Sequence, residues 1–209
     1  MMPGMSLLAF ALAALLLAVT PGPGMAYVVA RTVAGGRREG YASCLGTGVG
    51  GLVHVGAAAL GLSLLVAQSA LAFNVVKLVG AAYLVWLGIR LLLRKDPVSA
   101  VGPVPVHGAR RALLEGIVVE VLNVKTALFF LAFLPQFVAP NEPLAPQMVM
   151  LGSVCVALNT LADVVAVTAA HRLLASEAAR AARARLLNRV SGTTLLGLGA
   201  WLALARRGT

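Results

Sequence analysis

The residues most able to do chemistry stand at interruptions in otherwise apolar sequence. The first is Thr20-Pro21-Gly22-Pro23-Gly24. Its two prolines remove two backbone donors and its glycines admit angles that helices avoid, so a helix arriving at Thr20 must break. Polar backbone freed inside an apolar stretch is tolerated only where protein or a water-filled cavity satisfies it, which makes Pro21, Gly22, Pro23 and Gly24 candidate binding groups. The second interruption holds Glu120, Asn123 and Lys125 and, further on, Pro135 and Gln136. Two ionisable groups and an amide near the end of an apolar run must pair or face a cavity, although snorkelling to headgroups is the plainer reading of Glu120 and Lys125. Asp163 is an isolated carboxylate among Leu and Val, suited to taking up and releasing a proton, with the amide of Asn159 one turn before it on the same helical face. Glu120 and Lys125 stand about 140° apart on a regular helix and meet only across a break, so Asp163 is preferred over Glu120 as the proton-linked group. His54 is a further proton candidate, with a hydrogen-bonded packing role as its plainer reading.

The elements that must position these groups are read from composition. Of 209 residues, 60% are hydrophobic and 11% are charged, too few charges for an ordinary soluble domain. The net charge of +10 would suggest nucleic acid in a soluble protein. Its distribution excludes that partner: residues 1–30 hold no charged side chain, and basic patches then alternate with long apolar runs. About 20 apolar residues cross a bilayer. Six runs qualify: Ser6 to Val29, Tyr41 to Ala67, Leu71 to Leu93, Ala112 to Val138, Leu144 to Ala170 and Val190 to Ala205. No Lys or Arg precedes the first run, so it is expected to stay as a span and not to act as a cleaved signal.

Thirteen of the seventeen Lys and Arg fall on alternate connections, around Arg31 to Arg38, Arg90 to Arg111 and Arg172 to Arg189. The positive-inside rule places these loops in the cytoplasm, with Arg206 and Arg207 on the opposite side. The Pro-rich stretch 97–109 reads as a cytoplasmic hinge between halves 1–96 and 110–209 of one transmembrane domain. Three spans per half force the halves to insert with opposite topology, an arrangement from which many secondary transporters are built. The expected fold is an all-α membrane protein of six transmembrane helices in two inverted three-helix halves, the first and fourth helices broken.

Other motifs are bland in context. Gly46-Thr47-Gly48-Val49-Gly50-Gly51 fits a dinucleotide fingerprint, but no strand precedes it, and its small-xxx-small spacing reads as helix packing within one chain or across a homodimer. Cys44 and Cys155 read as small buried residues, and Lys77 as a side chain reaching the outer interface. No H-E-x-x-H or G-x-S-x-G occurs, so no catalytic residue, metal site or cofactor is expected.

Taken together, Thr20 to Gly24, Gly36-Arg-Arg-Glu-Gly40, Gly46 with Gly50 and His54, Gly80-Ala-Ala-Tyr-Leu-Val-Trp-Leu-Gly88, Asn123-Val-Lys125 and Phe129 to Val138 resemble the amino-acid exporter family of lysine exporters and homoserine/threonine efflux proteins. The resemblance runs almost the whole length. It implies a multi-pass protein of the bacterial cytoplasmic membrane that exports amino acids or close relatives, driven by protons. It maps Pro21, Gly22 and Pro23 onto the family's broken first helix, and Asn123 with Lys125 onto its Asn-Pro-Lys motif. Val124 replaces the proline of that motif. Gly51 stands where many members carry an acidic residue, which turns attention to Glu120 and Asp163.

The expected function is therefore secondary efflux of a small zwitterion, bound between the Pro-Gly-Pro break, Lys125 and a carboxylate. A metal-ion exporter on the same fold is an alternative, weakened by the scatter of His54, His107 and His171 and by the distance between the cysteines in sequence. An enzyme acting on lipid headgroups is the remaining one, with Glu115, Glu120, His107 and His171 near an interface.

Overall fold

A computed structural model describes residues 3–62, 70–93, 105–106, 108–139, 142–173, 189, 192–200 and 202–204, and among them there are helices and turns but no strand. Helix α1 spans Pro3–Val19. It stops because Pro21 cannot supply the N–H that the Leu17 carbonyl would accept. The last turn tightens instead, the Thr20 N–H being shared between the carbonyls of Leu16 at 3.1 Å and Leu17 at 3.2 Å. Helix α2, Pro23–Ala57, opens on a proline at the position where a missing N–H costs nothing, and a π turn, Ala58–Leu62, extends it.

Inside α2, Gly36 has φ 72° and ψ −173°, a left-handed backbone that favours glycine. The chain reverses there. Thr32 lies against Gly40, and a Cβ on Gly24 would stand 3.7 Å from Thr47 Cγ2. A straight helix would hold those pairs about 12 and 35 Å apart. The limbs 23–35 and 37–57 therefore run side by side, and Val28 of one packs with Cys44 of the other.

Helix α3 is Ala70–Leu93, α4 is Ala109–Val121 and α5 is Val124–Leu128, continued by a π turn, Phe129–Phe133, and a 3-10 turn, Leu134–Phe137. Helix α6 is Leu144–Leu173. Residues 192–200 and 202–204 are helical as well. Among the described residues, two runs are long and apolar enough to cross a bilayer, Pro23–Gly61 and Leu144–Ala170; α4 with the α5 run, bent by 44°, makes a third if counted as one span. Given the reversal at Gly36, the first of these is a helical hairpin.

The run Ser6 to Val29 is two helices separated at Thr20 to Gly22. Two expectations change. The loop expected around Arg31 to Arg38 shrinks to the kink at Gly36, and Arg31 lies inside α2, 1% exposed, paired with Glu39 of the other limb. A buried cation needs such a partner, and the pairing lets helix continue where charge alone suggested a loop. Lys77, expected to reach outward, is buried in α3. Residues 63–69 at the end of the expected second span, His107, and most of 97–109 lie outside the described residues.

The main core joins α1, α3, the α5 run, α6 and the C-terminal helical residues through Phe10, Leu17, Leu84, Phe129, Phe133 and Leu195. Phe129 stacks on Phe133 at 4.7 Å, and Phe137 meets Phe10 edge-on at 5.4 Å. Helix α2 packs along both α4 and α6. Its glycines set the first contact: a Cβ on Gly50 would stand 2.7 Å from Glu120 Cβ, and one on Gly116 2.9 Å from the Ser43 carbonyl. Outward, Leu12, Leu15, Leu45, Leu52, Leu78 and Leu161 are exposed, an apolar exterior suited to lipid.

Candidate functional site

The two interruptions meet. Lys125, 6% exposed, opens α5 and points at the end of α1. Its Nζ donates to the carbonyls of Leu17 at 3.2 Å and Thr20 at 2.8 Å, at the end of α1 where the prolines stop the helix. A cation at a helix C-terminus also opposes the negative end of the helix dipole. Gly22 makes the approach possible: a Cβ there would stand 3.0 Å from Lys125 Nζ. Reciprocally, Glu120 at the end of α4 faces the start of α2, where a Cβ on Gly24 would stand 2.5 Å from Oε2.

Between α4 and α5 the chain turns at Asn123, φ −76° and ψ 97°. The Asn123 side chain accepts from the Lys125 N–H at 3.1 Å, capping α5, and its amide donates to Glu120 Oε2 at 3.0 Å. Thr126 Oγ1 donates to Glu120 Oε1 at 2.7 Å. His54 Nε2 lies 2.8 Å from the Glu120 backbone carbonyl, which fixes its proton on that nitrogen as the donor. Val124 in place of proline does not prevent the break, because the Asn123 cap ends one helix and begins the next.

On the opposite wall, Asp163 of α6 is 6% exposed and accepts from Thr47 Oγ1 at 3.0 Å. Its expected partner was Asn159. That amide instead donates to Cys155 Sγ at 3.6 Å, one turn back along α6, while the hydroxyl from α2 reaches Asp163 across the helix interface. A cavity lies between these groups, with about 450 Å³ of empty space counting its open mouth. Thr20, Gly22, Gly24, Glu120, Asn123, Lys125 and Asp163 line it, joined by Thr47, Thr126 and Thr160.

Glu120 and Lys125 both face this cavity and are not snorkelling side chains. Pro135 and Gln136 are set apart from it: Pro135 is buried in its 3-10 turn, and Gln136 Nε2 turns back to the Ala132 carbonyl at 3.4 Å. His54 supports the α4 break from behind. Among the described residues no group of three His, Cys, Asp or Glu converges as a metal site would need. Sequence reasoning passed over Thr47 and Thr126. Their signal was a hydroxyl in an apolar segment, which usually bonds its own helix; Thr47 shares its single proton between the Cys44 carbonyl, also at 3.0 Å, and Asp163.

The pattern of the LysE type translocator family matches residues 15–206, nearly the whole chain and both interruptions. The chain belongs to the LysE type translocator family. Its relatives include an uncharacterized membrane protein of Vibrio cholerae, 30% identical over 95% of this chain and 97% of that one. A homoserine/homoserine lactone efflux protein of Salmonella typhimurium is 30% identical over 95% of this chain and 96% of its own length. A membrane protein of Bacillus subtilis, YrhP, is 29% identical over 75% and 79%. No solved structure matches. The chain is thus a membrane protein of a translocator family.

Proposed function

We propose that this translocator exports an amino acid or a closely related small zwitterion from the bacterial cytoplasm in exchange for protons, and that it is not an enzyme. The observation that carries this reading is the reciprocal fit of the two interruptions: the cation after the second caps the helix before the first, and the carboxylate before the second faces the helix after the first. Helix ends, one cation and two carboxylates around one cavity are the groups that an amino acid's carboxylate and ammonium require. Asp163 is the favoured proton carrier, with Glu120 next; His54 drops behind them because its ring is committed to a backbone carbonyl.

The reading takes the protein as six spans in two inverted halves, 1–96 and 110–209, with the basic connections in the cytoplasm. The relatives' efflux names point to homoserine as the first compound to try. Inside-out vesicles from an overexpressing strain should accumulate a labelled amino acid from a panel when a proton gradient is imposed and lose it when the gradient is collapsed. Absence of gradient-dependent uptake for every member of the panel sinks the proposal.

A further inference from the structure

Three charged side chains face the cavity, and their hydrogen bonds are unequal. Glu120 is committed at both oxygens, Oε2 to Asn123 and Oε1 to Thr126. Lys125 uses two of its three N–H groups on Leu17 and Thr20. Asp163 is held at one oxygen alone: Thr47 Oγ1 takes Oδ2, and Oδ1 has no hydrogen-bond partner among the described residues. That oxygen belongs to a side chain more than nine-tenths buried on the cavity wall, beside Asn159 and Thr160. A carboxylate oxygen left open to the cavity on an otherwise buried side chain is placed to take a hydrogen bond from a ligand or to take a proton.

We infer that Asp163, not Glu120, receives the ammonium of the substrate through Oδ1, and that the transported proton takes the same carboxylate, so that amine and proton exclude each other. The inference rests on the efflux reading and specifies its coupling. Thr47 is the positioning residue, pinning Oδ2 so that Oδ1 stays turned to the cavity. The third N–H of Lys125 is left for the substrate's carboxylate. When the site faces the cytoplasm, the ammonium displaces the proton from Asp163. When it faces the acidic side, the proton protonates the carboxylate and the ammonium leaves intact. One zwitterion moves out and one proton moves in, with no covalent change. The other titratable or charged groups that act on Asp163 are Glu120 and Lys125 across the cavity and Cys44 on α2; Cys155 shares its helix, and α1 brings only backbone carbonyls.

The test uses the purified full chain and homoserine, with binding heats measured in two buffers of different ionisation enthalpy to count protons. Homoserine should release up to one proton per molecule bound on the acidic side of the Asp163 titration, where its affinity should fall about tenfold per pH unit. N-acetylhomoserine, which keeps the carboxylate but lacks the ammonium, should bind at least tenfold more weakly. Asp163→Asn should lose both binding and proton release, and the native-chain comparisons hold even if that variant does not fold. Homoserine binding without proton exchange at any pH, equal binding of the N-acetyl compound, or proton release retained in Asp163→Asn each overturns the inference. A native chain that binds none of the amino acids in the transport panel overturns the efflux reading as well, so the two failures are distinguishable.

Discussion

At Pro21 the chain lacks the N–H that would close the last turn of α1, and the Lys125 ammonium takes the Leu17 and Thr20 carbonyls in its place. Lys125→Met should therefore remove charge and leave the Thr20 carbonyl unpaired, at a cost of about 1–3 kcal/mol, while Leu17 keeps the Thr20 N–H. The expected result is a lower unfolding temperature in detergent together with lost efflux in vesicles. Arginine should not rescue it, because Gly22 leaves no room for a larger head group. Gly24→Ala drives a methyl into Glu120 Oε2, and overpacking of this kind costs about 1–3 kcal/mol. Shortening the carboxylate in the same chain, Gly24→Ala with Glu120→Asp, should recover part of that loss, whereas strictly additive unfolding temperatures would show that the two residues do not touch.

At the scale of elements, the reversal at Gly36 decides how α2 is built. Val28→Cys should cross-link to the native Cys44 under mild oxidation or with a short bifunctional reagent, in a Cys155→Ser background. A straight helix would hold the two about 24 Å apart and give no product. Gly36→Ala forces a side chain into a positive-φ, extended-ψ backbone that is essentially reserved for glycine, at a cost of about 1–3 kcal/mol, so thermal denaturation should show a loss that Gly36→Asn shares. The buried Arg31–Glu39 pair ties the same limbs together, with Arg31 Nη1 donating to the Pro105 carbonyl at 2.9 Å and the Gly108 N–H donating to Glu39 Oε1 at 2.6 Å. The stretch before α4 is thereby fastened to the α2 hairpin.

For the whole molecule, the proposal sets sidedness. Single cysteines at Arg38 and at Glu142, in a chain without its native cysteines, should react with a membrane-impermeant reagent from opposite faces, Arg38 in inside-out vesicles and Glu142 in intact cells. Labelling of both from one face would undo the assignment of basic connections to the cytoplasm and, with it, the inverted halves.

Composition, charge alternation and apolar run length determined that the chain is helical and belongs in a membrane, because the bilayer imposes those requirements on any sequence that crosses it. The site's outline was legible for a similar reason: Asn123, Lys125 and Asp163 are residue types that an apolar segment does not carry without cause, and Pro21 and Pro23, which do not line the cavity themselves, mark the break whose Thr20, Gly22 and Gly24 do. Which of them touch depended on helices far apart in sequence. The seating of Lys125 on α1, the pairing of Asp163 with Thr47 in place of Asn159, the burial of Arg31 against Glu39 and the exclusion of Pro135 and Gln136 from the cavity all arise from contacts across helix interfaces. Local spacing reports only which residues share a face of one helix, and these contacts are set by how the glycine-lined faces of α2 pack on α4 and α6.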